Sequence, residues 1–275
     1  MIFTLKKNKD NVEIETVKYA GDKLTDDMKN IPQFLPKKNA SFYVVGRPRS
    51  GKSTLLYSLL CSDGRKIKNK DKHKSKFYYK IFERVYIFSP SIKTSEKPFP
   101  LPPENIFEDY DPEILNALIE NLQEDENMNC CFVFDDVIKS LNANGGQNAK
   151  LLMKLLLNRR HILYNPNDTD EEHVAGCSSI ITSQRYNLLP MFIRSSGISH
   201  LILFKITNMK DLNDVHIENA PEMDFKQFKR ICDFCWEEPH NFLYIILDAD
   251  ITQKFHKNFD RIELTEDYLN TRTYK

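Results

Sequence analysis

Two glycines five residues apart, followed by a lysine and two hydroxyls, stand in Gly46-Arg47-Pro48-Arg49-Ser50-Gly51-Lys52-Ser53-Thr54. The run fits G-x-x-x-x-G-K-[ST]. It follows an apolar stretch, SFYVVG, and opens another, STLLYSLL. A strand, a tight loop and a helix in that order are what a phosphate-binding loop requires. Glycines let the backbone wrap an anion with its N–H groups turned inward, and the helix N-terminus adds its positive end. Lys52 is placed to reach β- and γ-phosphates, and Ser53 to hold Mg²⁺. Gly46, Arg47, Pro48, Arg49, Ser50, Gly51, Lys52, Ser53 and Thr54 therefore form the expected nucleotide site, with ATP and Mg²⁺ as its ligands. The chain holds only 8 glycines in 275 residues, so two of them in one short loop mark the place.

A second group of residues suits hydrolysis. The apolar run Phe132-Val133-Phe134 ends in Asp135 and Asp136. A buried strand ending in two carboxylates serves a cation or a water. Asp135 is expected to orient Mg²⁺ through its waters, and Asp136 to polarise an attacking water. The alternative use of the pair is a helix cap after a strand. Thr182-Ser183-Gln184 closes a further apolar strand, expected beside the loop strand. Gln184, and second to it Ser183, is the candidate to contact the γ-phosphate or the water; ordinary turn polarity is the competing account. Arg159 and Arg160, at the end of a helix, and Arg194 are candidate fingers for a neighbouring subunit's ATP. Arginine near a helix C-terminus is also favourable for dipole reasons alone. Arg47 and Arg49 are the candidates in cis.

Composition limits the classes. Hydrophobic residues make up 41% and charged residues 28%, enough for a sizeable core. No apolar run is long enough to span a bilayer, and the N-terminus does not read as a secretory signal. Six cysteines show no disulfide framework. Cys232 and Cys235 make a single C-x-x-C without a second pair, so they read as buried thiols rather than zinc ligands. The net charge is zero, which gives no bulk signature of a nucleic-acid binder. The charge is nevertheless lopsided. Gly64 to Arg84 carries nine Lys and Arg, and Pro103 to Asn129 carries nine acids and no base. The basic run is either a phosphate-contacting loop or a solvated insertion. Most of the acidic run belongs to an amphipathic helix with Ile114, Leu115, Leu118, Ile119 and Leu122 at three- to four-residue spacing.

Strand-like and helix-like runs alternate from SFYVVG to FLYIILDAD. That pattern predicts an α/β fold with a mostly parallel central sheet flanked by helices. Residues 1–35 read as a small N-terminal β appendage, 36–262 as the nucleotide-binding domain, and 263–275 as a tail. A GTPase reading lacks its base reader, because Asn69-Lys70-Asp71-Lys72 puts lysine where aspartate is needed. A kinase would need an Arg-rich lid. An inert nucleotide-binding scaffold would be expected to lose Lys52, Asp135 or Asp136, and the chain keeps all three.

Four features together resemble the poxvirus-type genome-packaging ATPases of large and medium double-stranded DNA viruses, virophages and Polinton-like elements, in the FtsK–HerA superfamily. They are GRPRSGKST with its lead-in IPQFLPKKNASFYVV; VYIFSPS; FVFDDV followed by NRRH; and TSQRYNLLPMFIRSSGISHLILFK. The ending FLYIILDADITQKFHKNFD also suits the family. The resemblance spans residues from about 30 to 262 and implies a P-loop, RecA-like ATPase. It implies a homo-oligomeric ring, a pentamer or hexamer, that drives double-stranded DNA into a viral capsid at its portal vertex. It further implies work in the host cytoplasm, at a viral factory, or in the nucleus, with transient presence at the virion vertex. The basic insertion from Gly64 to Lys80 departs from the family pattern, and no terminase-type nuclease domain is visible. A DNA-gripping loop is expected either at Lys66, Lys68, Lys70 and Lys72 or in Leu141–Asn148.

Overall fold

The apolar runs become strands because each can bury both of its faces. In β1 (Ser41–Val45), Tyr43 and Val45 join one hydrophobic cluster, and Phe42 and Val44 join another on the opposite side. The alternation follows from the strand period of two. The strand Asn129–Asp135 divides likewise, with Cys130, Phe132 and Phe134 on one face and Cys131 and Val133 on the other. A computed structural model describes residues 24–62, 77–92, 99–124, 128–141, 147–164 and 175–265 of the chain.

The other strands are β2 (Arg84–Phe88), β3 (Ile106–Phe107), β4 (the Asn129–Asp135 strand), β5 (Gly176–Ser183), β6 (His200–Phe204), β7 (Phe242–Ile246), β8 (Phe255–Lys257) and β9 (Asp260–Arg261). They form one sheet in the order β3-β2-β4-β5-β1-β6-β7-β8-β9. Pairings from β3 to β6 are parallel, and those from β6 to β9 are antiparallel. As expected, β5 lies beside β1, with Val45 opposite Ser183. It separates the phosphate-loop strand from β4.

One face of the sheet is covered by α2 (Lys52–Cys61), through Leu55, Leu56 and Leu59. The other face takes α3 (Pro112–Glu124), α4 (Ile138–Leu141), α5 (Gln147–Leu157), α6 (Met191–Ser196), α7 (Met209–Asn219) and α8 (Phe225–Cys235). A last short helix, Ile251–Lys254, joins β7 to β8. The acidic helix α3 buries Leu115, Ile119 and Leu122 and turns its acids outward. Cys232 and Cys235 are fully buried on α8, where burial pushes both thiols up, Cys235 to about 12. Among the described residues no helix is long and apolar enough to cross a membrane.

The strands expected of the N-terminal appendage, in IFTLKK and VEIETVKYA, lie outside the described residues, and residues 24–35 are the described part of that segment. They hold a helical turn, Asp26–Lys29, capped by Thr25 Oγ1, which accepts from the Met28 amide at 3.3 Å. Met28, Ile31 and Leu35 are buried in the same cluster as Phe42 and Leu56. The apolar residues of this segment thus belong to the core of the sheet. Residues 1–23, most of the basic run with Lys66, Lys68, Lys70 and Lys72, positions 142–146 of the glycine loop, and 266–275 lie outside the described residues.

Candidate functional site

The phosphate loop joins β1 to α2 at the C-terminal edge of the sheet. Its two glycines have different reasons to be glycine. Gly51 caps α2 at φ +112, a conformation that L side chains rarely adopt. Gly46 meets its neighbours too closely for a Cβ. One placed there would run into Ser50 Oγ and stand 2.9 Å from the Phe204 Cβ. Between them Arg47, Pro48 and Arg49 are exposed, and Arg49 also takes a positive φ of 64.

Lys52 is buried, with 7% of its surface exposed. Its Nζ donates to the Gly46 carbonyl at 2.7 Å and to the Arg47 carbonyl at 3.4 Å. Among the described residues no carboxylate lies within ion-pair distance of it. A buried ammonium held only by neutral carbonyls favours an anion at the loop. Ser50 Oγ, buried within the loop, has no hydrogen-bond partner among the described residues. Both observations suit a phosphate. Ser53 and Thr54 open α2 with their side chains exposed.

Asp135 ends β4 as a buried carboxylate fixed from two strands. Oδ2 accepts from Ser89 Oγ at 2.9 Å, and Oδ1 from Thr182 Oγ1 at 2.7 Å. These bonds orient it without using all its lone pairs, so it can still accept from a metal-bound water. Asp136 leaves the strand in the left-handed region, at φ 55, and its amide donates to the same Thr182 Oγ1 at 3.0 Å. Asp is one of the few non-glycine residues that enter this region readily. Burial holds the Asp136 carboxyl above the ordinary carboxylate range. Lys52 opposes that shift, Asp135 adds to it, and a hydrogen bond from the Gln184 side chain opposes it. A partly buried carboxyl of raised basicity is a suitable group to polarise a water.

Lys52, Asp135, Asp136 and Gln184 are thus brought together at one edge. The turn that carries Gln184 is pinned from the loop strand. Tyr43 Oη lies 2.7 Å from Ser183 Oγ and donates to the Tyr186 carbonyl at 2.8 Å. Ser183 is therefore a support of the turn, and Gln184, exposed beside it, contacts Asp136.

The candidate finger arginines lie elsewhere. Arg159 follows α5, where its carbonyl accepts from the Cys177 amide at the start of β5. Its Nε donates to the Asn39 carbonyl at 2.6 Å and its Nη1 to the Leu156 carbonyl at 2.8 Å. It therefore sits at the N-terminal end of β1 and β5, across the sheet from the phosphate loop. Arg160 is exposed next to it. Arg194 is buried in an ion pair with Glu218 of α7, Nη2 to Oε1 2.5 Å. It also donates to the Leu189 carbonyl and lies over the Tyr186 ring at 4.5 Å.

Several residues at this edge carried no assignment in the sequence. Ser89 supports Asp135 from the residue that follows β2; its only signal was a Ser-Pro-Ser closing an apolar strand. Arg185, next to Gln184, makes a two-point contact with Asp211, both at 3.0 Å. A polar cleft of about 270 Å³ lies between Arg47, Gln184, Arg185 and Lys205. On the opposite side of the loop, a cleft of about 530 Å³ is lined by Gly51, Thr54, Ser58, Phe204, His240 and Phe242.

No family model matches the chain, and no curated protein matches it. Among solved structures the chain is similar to B204, the DNA-packaging ATPase of Sulfolobus turreted icosahedral virus. The two are 14% identical with a TM-score of 0.47, over 83% of this chain and 99% of that one. It is also similar to the genome-packaging NTPase B204 of Sulfolobus turreted icosahedral virus 2 in complex with ATPγS. That pair is 14% identical with a TM-score of 0.44, over 82% of this chain and 98% of the other.

Proposed function

We propose that this chain is an ATPase whose hydrolysis drives double-stranded DNA into a viral capsid. The observation that carries the ATPase half is the meeting of Asp136 with Lys52, Asp135 and Gln184 at the phosphate loop. A carboxyl of raised basicity beside an ammonium and an amide suits hydrolysis rather than binding alone. The DNA half rests on the sequence block TSQRYNLLPMFIRSSG and its companions.

In this reading the loop amides and Lys52 hold the β- and γ-phosphates. Ser53 and Asp135 would hold Mg²⁺, which screens the phosphate charge when bound. Asp135 is aimed by its hydrogen bonds from Ser89 and Thr182. Asp136 takes the proton of the attacking water, and Gln184 orients that water through the carboxylate it already contacts. A homo-oligomeric ring, pentameric or hexameric, would supply an arginine from the neighbouring subunit. Arg159, Arg160 and Arg194 are the candidates for that role. The motor would work at the capsid vertex in the host cytoplasm or nucleus.

The test is ATP hydrolysis by the purified chain, with and without double-stranded DNA, beside Lys52→Ala and Asp136→Asn. DNA-stimulated turnover lost in both variants supports the proposal. Turnover in the wild type that ignores DNA leaves an ATPase acting without DNA, the second reading. Full turnover by Asp136→Asn removes the assigned base.

A further inference from the structure

We infer that the cleft on the β6–β7 side of the phosphate loop is a seat for a purine base, with His240 as its stacking surface. The inference rests on the nucleotide reading above and extends it to the other end of the ligand.

The sheet order separates two sides of the loop. Beside β1 on one side stands β5, then β4, so Asp135, Asp136 and Gln184 all lie that way. On the other side stand β6 and β7. A triphosphate whose γ end faces the carboxylates must leave the loop in the opposite direction. The larger of the two clefts lies there, about 530 Å³, bounded by the first turns of α2 and by an aromatic wall. Phe204 and Phe242 form the base of that wall, ring to ring at 5.4 Å, both almost fully buried. The Phe204 ring runs under the loop, with Cε1 3.4 Å from where a Gly51 Cβ would stand.

His240 is the exposed member of the wall. Its Nδ1 lies 3.0 Å from the Ser50 carbonyl. A carbonyl only accepts, so Nδ1 carries the proton and donates. The ring is thereby fastened to the phosphate loop itself. The backbone of His240 stands at φ 67, a conformation that costs a non-glycine residue free energy. The ring is kept in an unfavourable backbone position, beside the loop and over a cleft. A flat aromatic ligand explains that arrangement, because stacking on an imidazole gains from a fixed, solvent-facing ring. Among the described residues the cleft lining holds no carboxylate to pair with the N–H edge of guanine, and the proposed seat takes adenine and guanine alike.

The test measures binding of the nonhydrolysable analogues AMPPNP and GMPPNP, and of inorganic tripolyphosphate, each with Mg²⁺, to the full chain. Variants are His240→Gly, which removes the ring and suits the backbone, and His240→Phe, which keeps a stacking ring. Loss of one stacking surface is expected to weaken AMPPNP about tenfold or more in His240→Gly. Tripolyphosphate affinity should be unchanged, and His240→Phe should regain most of the AMPPNP affinity. The two purine analogues should bind the wild type alike. The proposal is overturned if His240→Gly binds AMPPNP as the wild type does. It is also overturned if His240→Gly loses AMPPNP and tripolyphosphate equally, since His240 would then act through the loop. A wild type that binds neither ligand sinks the nucleotide reading, and this one with it. Binding of tripolyphosphate without any gain from the base sinks this inference alone.

Discussion

Thr182 Oγ1 donates to Asp135 Oδ1 at 2.7 Å while accepting from the Asp136 amide at 3.0 Å. One hydroxyl on β5 thus fixes both carboxylates at the end of β4. Thr182→Val keeps the shape and removes the bridge. Loss of a hydrogen bond to a charged group costs about 1.5–3 kcal/mol of stability. Turnover should fall about 10- to 100-fold, the usual loss when a supporting partner is removed. Thr182→Ser should keep most of it. Valine and threonine chains with equal turnover would remove the bridge from the mechanism.

Asp136 should cost the nucleotide-free fold stability at neutral pH. Burial raises its carboxyl above the ordinary range. Between the unfolded and folded values the native chain binds more protons than the unfolded chain. Stability therefore falls as pH rises through that window, and the whole cost is present above it. Asp136→Asn should melt higher than the wild type at pH 7, with the gap closing as pH falls below the ordinary carboxylate value. A lower melting temperature at pH 7 would mean that the contacts with Lys52 and Gln184 outweigh burial.

Arg194 is expected to hold the fold together rather than reach a neighbour's nucleotide. Its ion pair with Glu218 is nearly dry, at 8% and 13% exposure of the two side chains. Removing one partner of such a pair costs about 3–5 kcal/mol. Arg194→Met should melt well below the wild type, yet turn over near the wild-type rate per folded molecule at low temperature. Normal melting with lost turnover would restore the finger assignment.

His200 should make the fold acid-sensitive. It lies between Phe42 and Tyr244, at centroid distances of 5.1 and 5.9 Å. Burial, and next the charge of Arg159, lower its pKa from 6.5 to about 3. Below pH 6.5 the unfolded chain binds a proton that the native chain refuses. Stability should therefore drop as pH falls from 6.5 towards 3, at up to about 1.4 kcal/mol per pH unit from this group. Urea denaturation across that range should show a shallower pH dependence in His200→Asn. Parallel curves for the two chains would assign the acid sensitivity to other groups.

The site was legible where its chemistry is local in the chain. The run from Gly46 to Thr54 and the Asp135-Asp136 pair each declare themselves by spacing, and Gln184 by its place at a strand end. Ser89, Tyr43, Phe204 and His240 did not, because each comes from a different segment and acquires its partner only when the sheet is ordered. The parallel alternation from β1 to β6 followed from buried apolar runs. Helix α7 was missed because its sequence, MKDLNDVHIEN, is mostly polar. Asp211 and Glu218 of that helix are spent on Arg185 and Arg194, so these two acids look inward. The helical turn that Thr25 caps, with Met28 as its buried residue, was also not legible, since it is only four residues long. The reversal at β7 was also invisible, since apolar strands read alike in either direction.

The place of β1 in the sheet has a mechanical consequence. It lies fifth of nine strands and is bonded along its length to parallel neighbours on both sides. A tug on the loop along the strand axis loads both ladders in shear, where many bonds share the strain at once. The strand cannot slip alone without shifting every partner from Ser41 to Val45 by a residue. Displacement at the nucleotide edge is therefore passed to the loops and helices that border it, and the sheet serves as the anvil.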